Sequence, residues 1–168
     1  PYALEFRQGK KMEASEIVDT IKAFQCPHLV ITGGEPMIQQ KGLKEVLEHL
    51  KGYYVEIETN GGFASEIDHH IHQYNCSPKL KNSGNKTYPL KLLPNEKTWY
   101  KFVVEHEKAF DETLEFISQN HLPRNRVRIM PEGRRGEELK EKTPWLLALC
   151  KKHGFIFNPR LHLLFNIR

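Results

Sequence analysis

A chain of 168 residues with 39% hydrophobic content is long enough to bury the core of one domain. Its formal charge of +4 suits an anionic small molecule or a weak polyanion contact and falls short of a nucleic-acid-binding surface. No apolar run reaches the roughly 18 residues of a membrane span and no charged-then-apolar leader is read, while Cys26, Cys76 and Cys150 lie too far apart for a CxxC clamp, so a cytoplasmic protein without disulfides is expected.

In chain order, "EASEIVDTIKAF" (13–24) sets Ile17, Ile21 and Phe24 on one apolar helix face. A strand, "HLVIT", follows at 28–32. A helix, "KGLKEVLEHL", carries Leu43, Val46, Leu47 and Leu50 on one side, and a second strand, "YYVEIET", ends at Asn60-Gly61. This β-α-β order suits parallel strands. "CSPK" reads as a strand end at the middle of the chain, and 77–97 is the one long loop candidate. Then come the strand "TWYKFVV", the helix "EKAFDETLEFISQN" and the strand "RVRIM". The helix "GEELKEKTPWLLALCKKHG" holds Pro144 as an internal start or kink, and "FIFNPRLHLLF" is expected as a strand pair or one interrupted strand. The pattern predicts an α/β parallel sheet, open or curved toward a barrel, folded as one domain over 1–168.

Ligands of such sheets bind at the carboxyl ends of the strands. In "TGGEP", Gly33 and Gly34 give a ligand access to bare backbone and Glu35 offers a carboxylate, although two glycines alone equally make a tight turn. No GxGxxG or GK[ST] signature is present. Glu56 and Glu58 share one strand face, and Glu58 at its C-terminal end could hold hydroxyls or an amine. Ser77, Lys79, Lys81 and Lys86 form either a carboxylate clamp or a solvated basic loop. Among the histidines, only His69 and His72 have helical ligand spacing, and a structural or surface role is expected for them. His162 lies near the convergent strand ends and stays a site candidate.

Taken in order, "ITGGEP", "EIETNG", "SPKLKNSGN", "RIMPEGR" and "NPRLHLLF" resemble the radical S-adenosylmethionine superfamily, most closely its 7-carboxy-7-deazaguanine synthases. The resemblance implies a partial, incomplete TIM-type barrel of about six parallel strands. It implies a lyase of queuosine or deazapurine biosynthesis that uses a [4Fe-4S] cluster, S-adenosylmethionine and Mg2+ to convert 6-carboxy-5,6,7,8-tetrahydropterin with loss of ammonia. A homodimer and an electron donor such as flavodoxin or ferredoxin are implied partners, with no membrane or nucleic acid.

By the same resemblance, Gly33, Gly34 and Glu35 bind S-adenosylmethionine, Gly34 meeting the methionine moiety, Glu58 meets the ribose end, and Ser77, Pro78 and Lys79 grip the cofactor from another strand. Met130, Pro131, Glu132 and Gly133 form the adenine-side loop. Thr32, His162 and the weaker candidate Arg160 face the pterin. The family's cluster cysteines, its magnesium threonine and its upstream substrate-binding residues are not in this chain and are expected upstream of Pro1, Tyr2 lying just behind that motif. Cys26, Cys76 and Cys150 cannot replace them, because a cluster needs several thiolates at one point. The alternatives are a glycyl-radical activating enzyme of the same superfamily, or a non-catalytic relative that binds S-adenosylmethionine or RNA.

Overall fold

In this computed structural model, residues 9–81, 84, 87–92 and 96–167 are described; Tyr2 and Lys86 lie outside that set. Six strands form one sheet in the order β1 to β6: His28–Ile31, Tyr54–Thr59, Gln73–Cys76, Thr98–Val104, Val127–Pro131 and Ile156–Phe157. Every neighbouring pair is parallel. The helices are α1 (Ala14–Ala23), α2 (Gln40–Glu48), α3 (Glu107–Gln119), α4 (Gly136–His153) and α5 (Leu161–Leu164).

Strands added one after another in the same direction, each by a right-handed crossover, put every connection on the same side of the sheet. Side chains alternate across each strand accordingly. Ile57, Tyr74, Tyr100, Val104 and Ile129 are fully buried on the helix side, where Phe110 of α3 and Leu146 of α4 pack. The opposite side carries His28, Glu56, Glu58, Gln73, Lys101 and Arg128. Its apolar members Val30, Tyr54, Val103 and Ile156 remain 41–49% exposed, as expected of a face that none of the described helices covers. A sheet covered on one side and bare on the other is consistent with a partial barrel.

Three expectations change. Gln73–Cys76, foreseen only through its end at "CSPK", is a strand of its own between β2 and β4. "FIFNPRLHLLF" is not a strand pair: Ile156–Phe157 is the whole strand, Asn158 N–H makes the last bond to the Ile129 carbonyl, and Leu161–Leu164 is one helical turn. Pro159 has no N–H to donate to a ladder, which ends the strand there. Pro144 does not start its helix, since α4 runs from Gly136 to His153 with the proline inside it.

Candidate functional site

The end of β1 is built around Glu35. Gly33 turns the chain at φ +146°, a conformation that side-chain-bearing residues resist, and Glu35 caps the short 3-10 helix Pro36–Gln39. Its Oε1 accepts from Met37 N–H at 3.1 Å and from the Thr59 hydroxyl at 2.8 Å, and its Oε2 accepts from Asn60 N–H at 2.7 Å. Both carboxylate oxygens are therefore spent tying the end of β1 to the end of β2. The sequence offered the Glu35 carboxylate to a ligand; the geometry gives it first to the scaffold, and leaves Thr32, Gly33 and Gly34 exposed above it.

The end of β2 is equally tight. Gly61 sits at φ +79°, and a Cβ there would lie 2.6 Å from both Cys76 Sγ and Leu90 Cδ1. Its carbonyl accepts from Lys91 and Leu92 N–H, which pins the distal part of the long loop onto the strand end. Ser77 N–H donates to the Thr59 carbonyl at 2.7 Å, so "SPK" leaves β3 beside "ETNG". Pro78 is buried. Lys79 lines a cavity of about 720 Å³ between this segment and α3, with Lys81, Tyr88, Glu112 and Phe116 on its walls.

On the bare face the two acids of β2 part company. Glu56 Oε1 bonds His28 Nε2 at 2.9 Å, and its Oε2 accepts from Gln73 Nε2 and Asn75 Nδ2 at 2.9 and 2.8 Å. Among the described residues, Glu58 Oε2 accepts only from Lys101 Nζ, at 2.5 Å. Farther along the face, the Arg128 and Arg126 guanidiniums lie 4.1 and 4.7 Å from the centre of the Trp99 ring.

At the other end of the strand-end rim, Met130 to Gly133 leave β5 with Glu132 N–H on the Val104 carbonyl. Glu132 is drawn outward by Lys142, whose Nζ bonds both its carboxylate and its carbonyl at 2.9 and 3.0 Å. Arg160 donates to the Gly133 carbonyl at 2.6 Å, which joins "RLH" to "MPEG". His162 is exposed on α5.

Thus Thr32 to Glu35, Glu58 and Ser77 come together, as do Met130 to Gly133 with Arg160. Lys101, Asn75 and Arg128 were missed in the sequence. Their signal was the period-two alternation of "TWYKFVV" and "RVRIM", which sets Lys101 and Arg128 opposite each other on the bare face.

Metal ligands are another matter. Cys26 is exposed, whereas Cys76 and Cys150 are buried, and burial pushes their thiols up to about 12 and about 11. No group of three metal-binding side chains exists among the described residues. The expected structural role of the histidines holds for His72, whose Nδ1 accepts from Val55 N–H at 3.1 Å. No described helix is long and apolar enough to cross a membrane.

A singly wound parallel sheet with one bare polar face, leading to a Gly-Gly-Glu-Pro turn and a Ser-Pro-Lys exit, defines an α/β domain consistent with a partial barrel. The chain is 35% identical to the 7-carboxy-7-deazaguanine synthase of Pyrobaculum aerophilum over 97% of its own length and 76% of that protein's. It is 33% identical to that of Hyperthermus butylicus over 99% and 77%. The chain belongs to the 7-carboxy-7-deazaguanine synthase family, whose members are radical S-adenosylmethionine lyases. Its fold is similar to the crystal structure of QueE from Escherichia coli, with a TM-score of 0.66 at 20% identity over 89% of this chain. The chain spans 64% of that protein's length. No family model matches the sequence.

Proposed function

We propose that the protein acts as a radical lyase that converts 6-carboxy-5,6,7,8-tetrahydropterin to 7-carboxy-7-deazaguanine with loss of ammonia, a step toward queuosine or another deazapurine. The observation that carries this reading is the joined strand-end rim of Thr32, Gly33, Gly34, Glu58 and Ser77, in a chain with close relatives of that name. S-adenosylmethionine on a reduced [4Fe-4S] cluster supplies the hydrogen-abstracting radical in this class.

The residues here fit the S-adenosylmethionine half of that pair. Gly33 and Gly34 expose backbone to the methionyl end, Glu58 takes the ribose hydroxyls, Ser77 and Pro78 border them, and the Met130 to Gly133 loop takes the adenine. Lys79 fits less directly, because it lines the cavity against α3. Thr32, Arg160 and His162 are assigned to the pterin side. The residues do not fit the cluster: the three cysteines of this chain are scattered and two are buried. Cluster cysteines and a magnesium threonine are accordingly proposed upstream of Pro1. Mg2+, a homodimer, a flavodoxin- or ferredoxin-type reductant and a cytoplasmic location complete the proposal.

Anaerobic reconstitution of the protein with iron and sulfide tests it. The expected result is a brown protein that releases 5′-deoxyadenosine only when the tetrahydropterin is supplied. Release of 5′-deoxyadenosine only with a protein partner would favour a glycyl-radical activating enzyme, and RNA retention without S-adenosylmethionine binding would overturn the enzyme reading.

A further inference from the structure

We propose that Lys101 is a positioning residue that aims Glu58 at the ribose hydroxyls of the bound S-adenosylmethionine. This role rests on the proposed function above.

Three carboxylates serve the β1 and β2 end of the rim and the bare face beneath it, and they differ in what they have left to give. Glu35 accepts three hydrogen bonds and Glu56 engages three partners, with both oxygens of each occupied. Glu58 accepts one, on Oε2, and its Oε1 has no partner among the described residues. A carboxylate offers about four acceptor positions, so of these three Glu58 alone keeps free capacity for the two donors of a vicinal diol; Glu132, also bound once through its carboxylate, stands at the opposite end of the rim.

What fixes the free oxygen is the lysine. Lys101 stands on β4, two strands from Glu58, and its stem lies across β3 to reach Oε2. The pair is only partly exposed, 21% for Lys101 and 34% for Glu58, so a ligand can reach the acid while water competes poorly for the ion pair. A charge-assisted bond from one side holds the carboxylate in one orientation, with Oε1 turned away from the lysine. Without Lys101, Glu58 is free to rotate and to spend both oxygens on water.

The test compares S-adenosylhomocysteine with its 2′-deoxy and 3′-deoxy analogues, titrated calorimetrically into cluster-loaded protein under anaerobic conditions. A hydroxyl donating to a carboxylate is worth about tenfold in affinity, and the unaltered protein is expected to prefer the full ribose by about that factor. Lys101→Met should cut this preference to about threefold or less while the deoxy analogues bind nearly as before, and Lys101→Arg should restore part of it. Glu58→Gln should lose the preference as well. If Lys101→Met weakens all ligands by one common factor and leaves the preference intact, Lys101 is merely structural and the proposal fails. Binding without hydroxyl preference in the unaltered protein also overturns it, but spares the proposed function. No binding of S-adenosylhomocysteine at all overturns both. Should Lys101→Met not fold, as judged by circular dichroism, Lys101→Gln reads the same ratio.

Discussion

The two sides of one sheet show what the same strands can be made to do. On the covered side, Tyr74, Tyr100 and Ile129 meet helices and lose all contact with water, and Phe102 keeps almost none. On the bare side, the residues between them in sequence form polar chains: His28 to Glu56 to Gln73 and Asn75, Glu58 to Lys101, and two arginines over Trp99. Burial of apolar area stabilises the first side, whereas the second spends its hydrogen bonds on orientation. Stability and ligand geometry are thereby assigned to alternate residues, and substitutions should separate them.

The largest separation is expected within β4 and β5. Phe102→Ala removes a 2%-exposed ring that packs edge-on against Phe116 at 5.8 Å between centroids, and should cost about 3–5 kcal/mol in urea unfolding. Arg128→Ala, one strand over on the bare side, should cost about 1 kcal/mol or less, because it loses one stacking contact over Trp99 and leaves the core intact. Comparable losses for the two would break the contrast between the faces.

The next effect sits at the rim, where the two sides meet. Gly61→Ala has to place a methyl 2.6 Å from Cys76 Sγ and Leu90 Cδ1 at a positive φ, and is expected to cost about 1–3 kcal/mol by the same measurement. Since the Gly61 carbonyl also holds Lys91 and Leu92, the variant should lose protease resistance in the 77–97 segment. Glu35→Gln is smaller, at about 1–2 kcal/mol: an amide oxygen can keep some of the donors on Thr59, Asn60 and Met37 but not all three at full strength. Its effect on S-adenosylmethionine affinity should exceed its effect on stability, because it loosens the turn that presents Gly33 and Gly34.

How much of this could be read from the sequence follows from the same alternation. Residues whose neighbours repeat a pattern were legible: β1 announces itself as a short apolar run, β2, β4 and β5 through apolar residues at every second position, and α1 to α4 through apolar spacings of three and four. β3 was not, because "QYNC" is four residues long and its polar members face the bare side, where Asn75 is buried by bonding Glu56 and not by being apolar. Glu35 was legible as an acid at a strand end, but its three bonds come from residues more than twenty positions away as well as from its own turn, which spacing cannot show. Lys101 was passed over for a related reason: one lysine in an apolar strand resembles an outward-facing residue until the sheet order brings it across β3 to Glu58.

One polar atom on the covered side offers the finest test. His70, in the connection between β2 and β3, lines a cavity beside α2 with Leu47, Glu48 and Leu50, and its buried Nε2 has no hydrogen-bond partner among the described residues. Burial first, then the charge of neighbouring His69, lowers its pKa from 6.5; Lys44 adds to this and Glu48 opposes it. A group whose folded-state pKa is depressed binds its proton more readily when unfolded. Stability is therefore complete above the unfolded value near 6.5 and declines as the pH falls from there through the lower folded-state value. His70→Gln should remove that slope, so the stability lost between about pH 7.5 and pH 5 in urea titrations should be smaller in the variant than in the unaltered protein. If the acid limb of His70→Gln were as steep as that of the unaltered protein, the buried imidazole would not be its source.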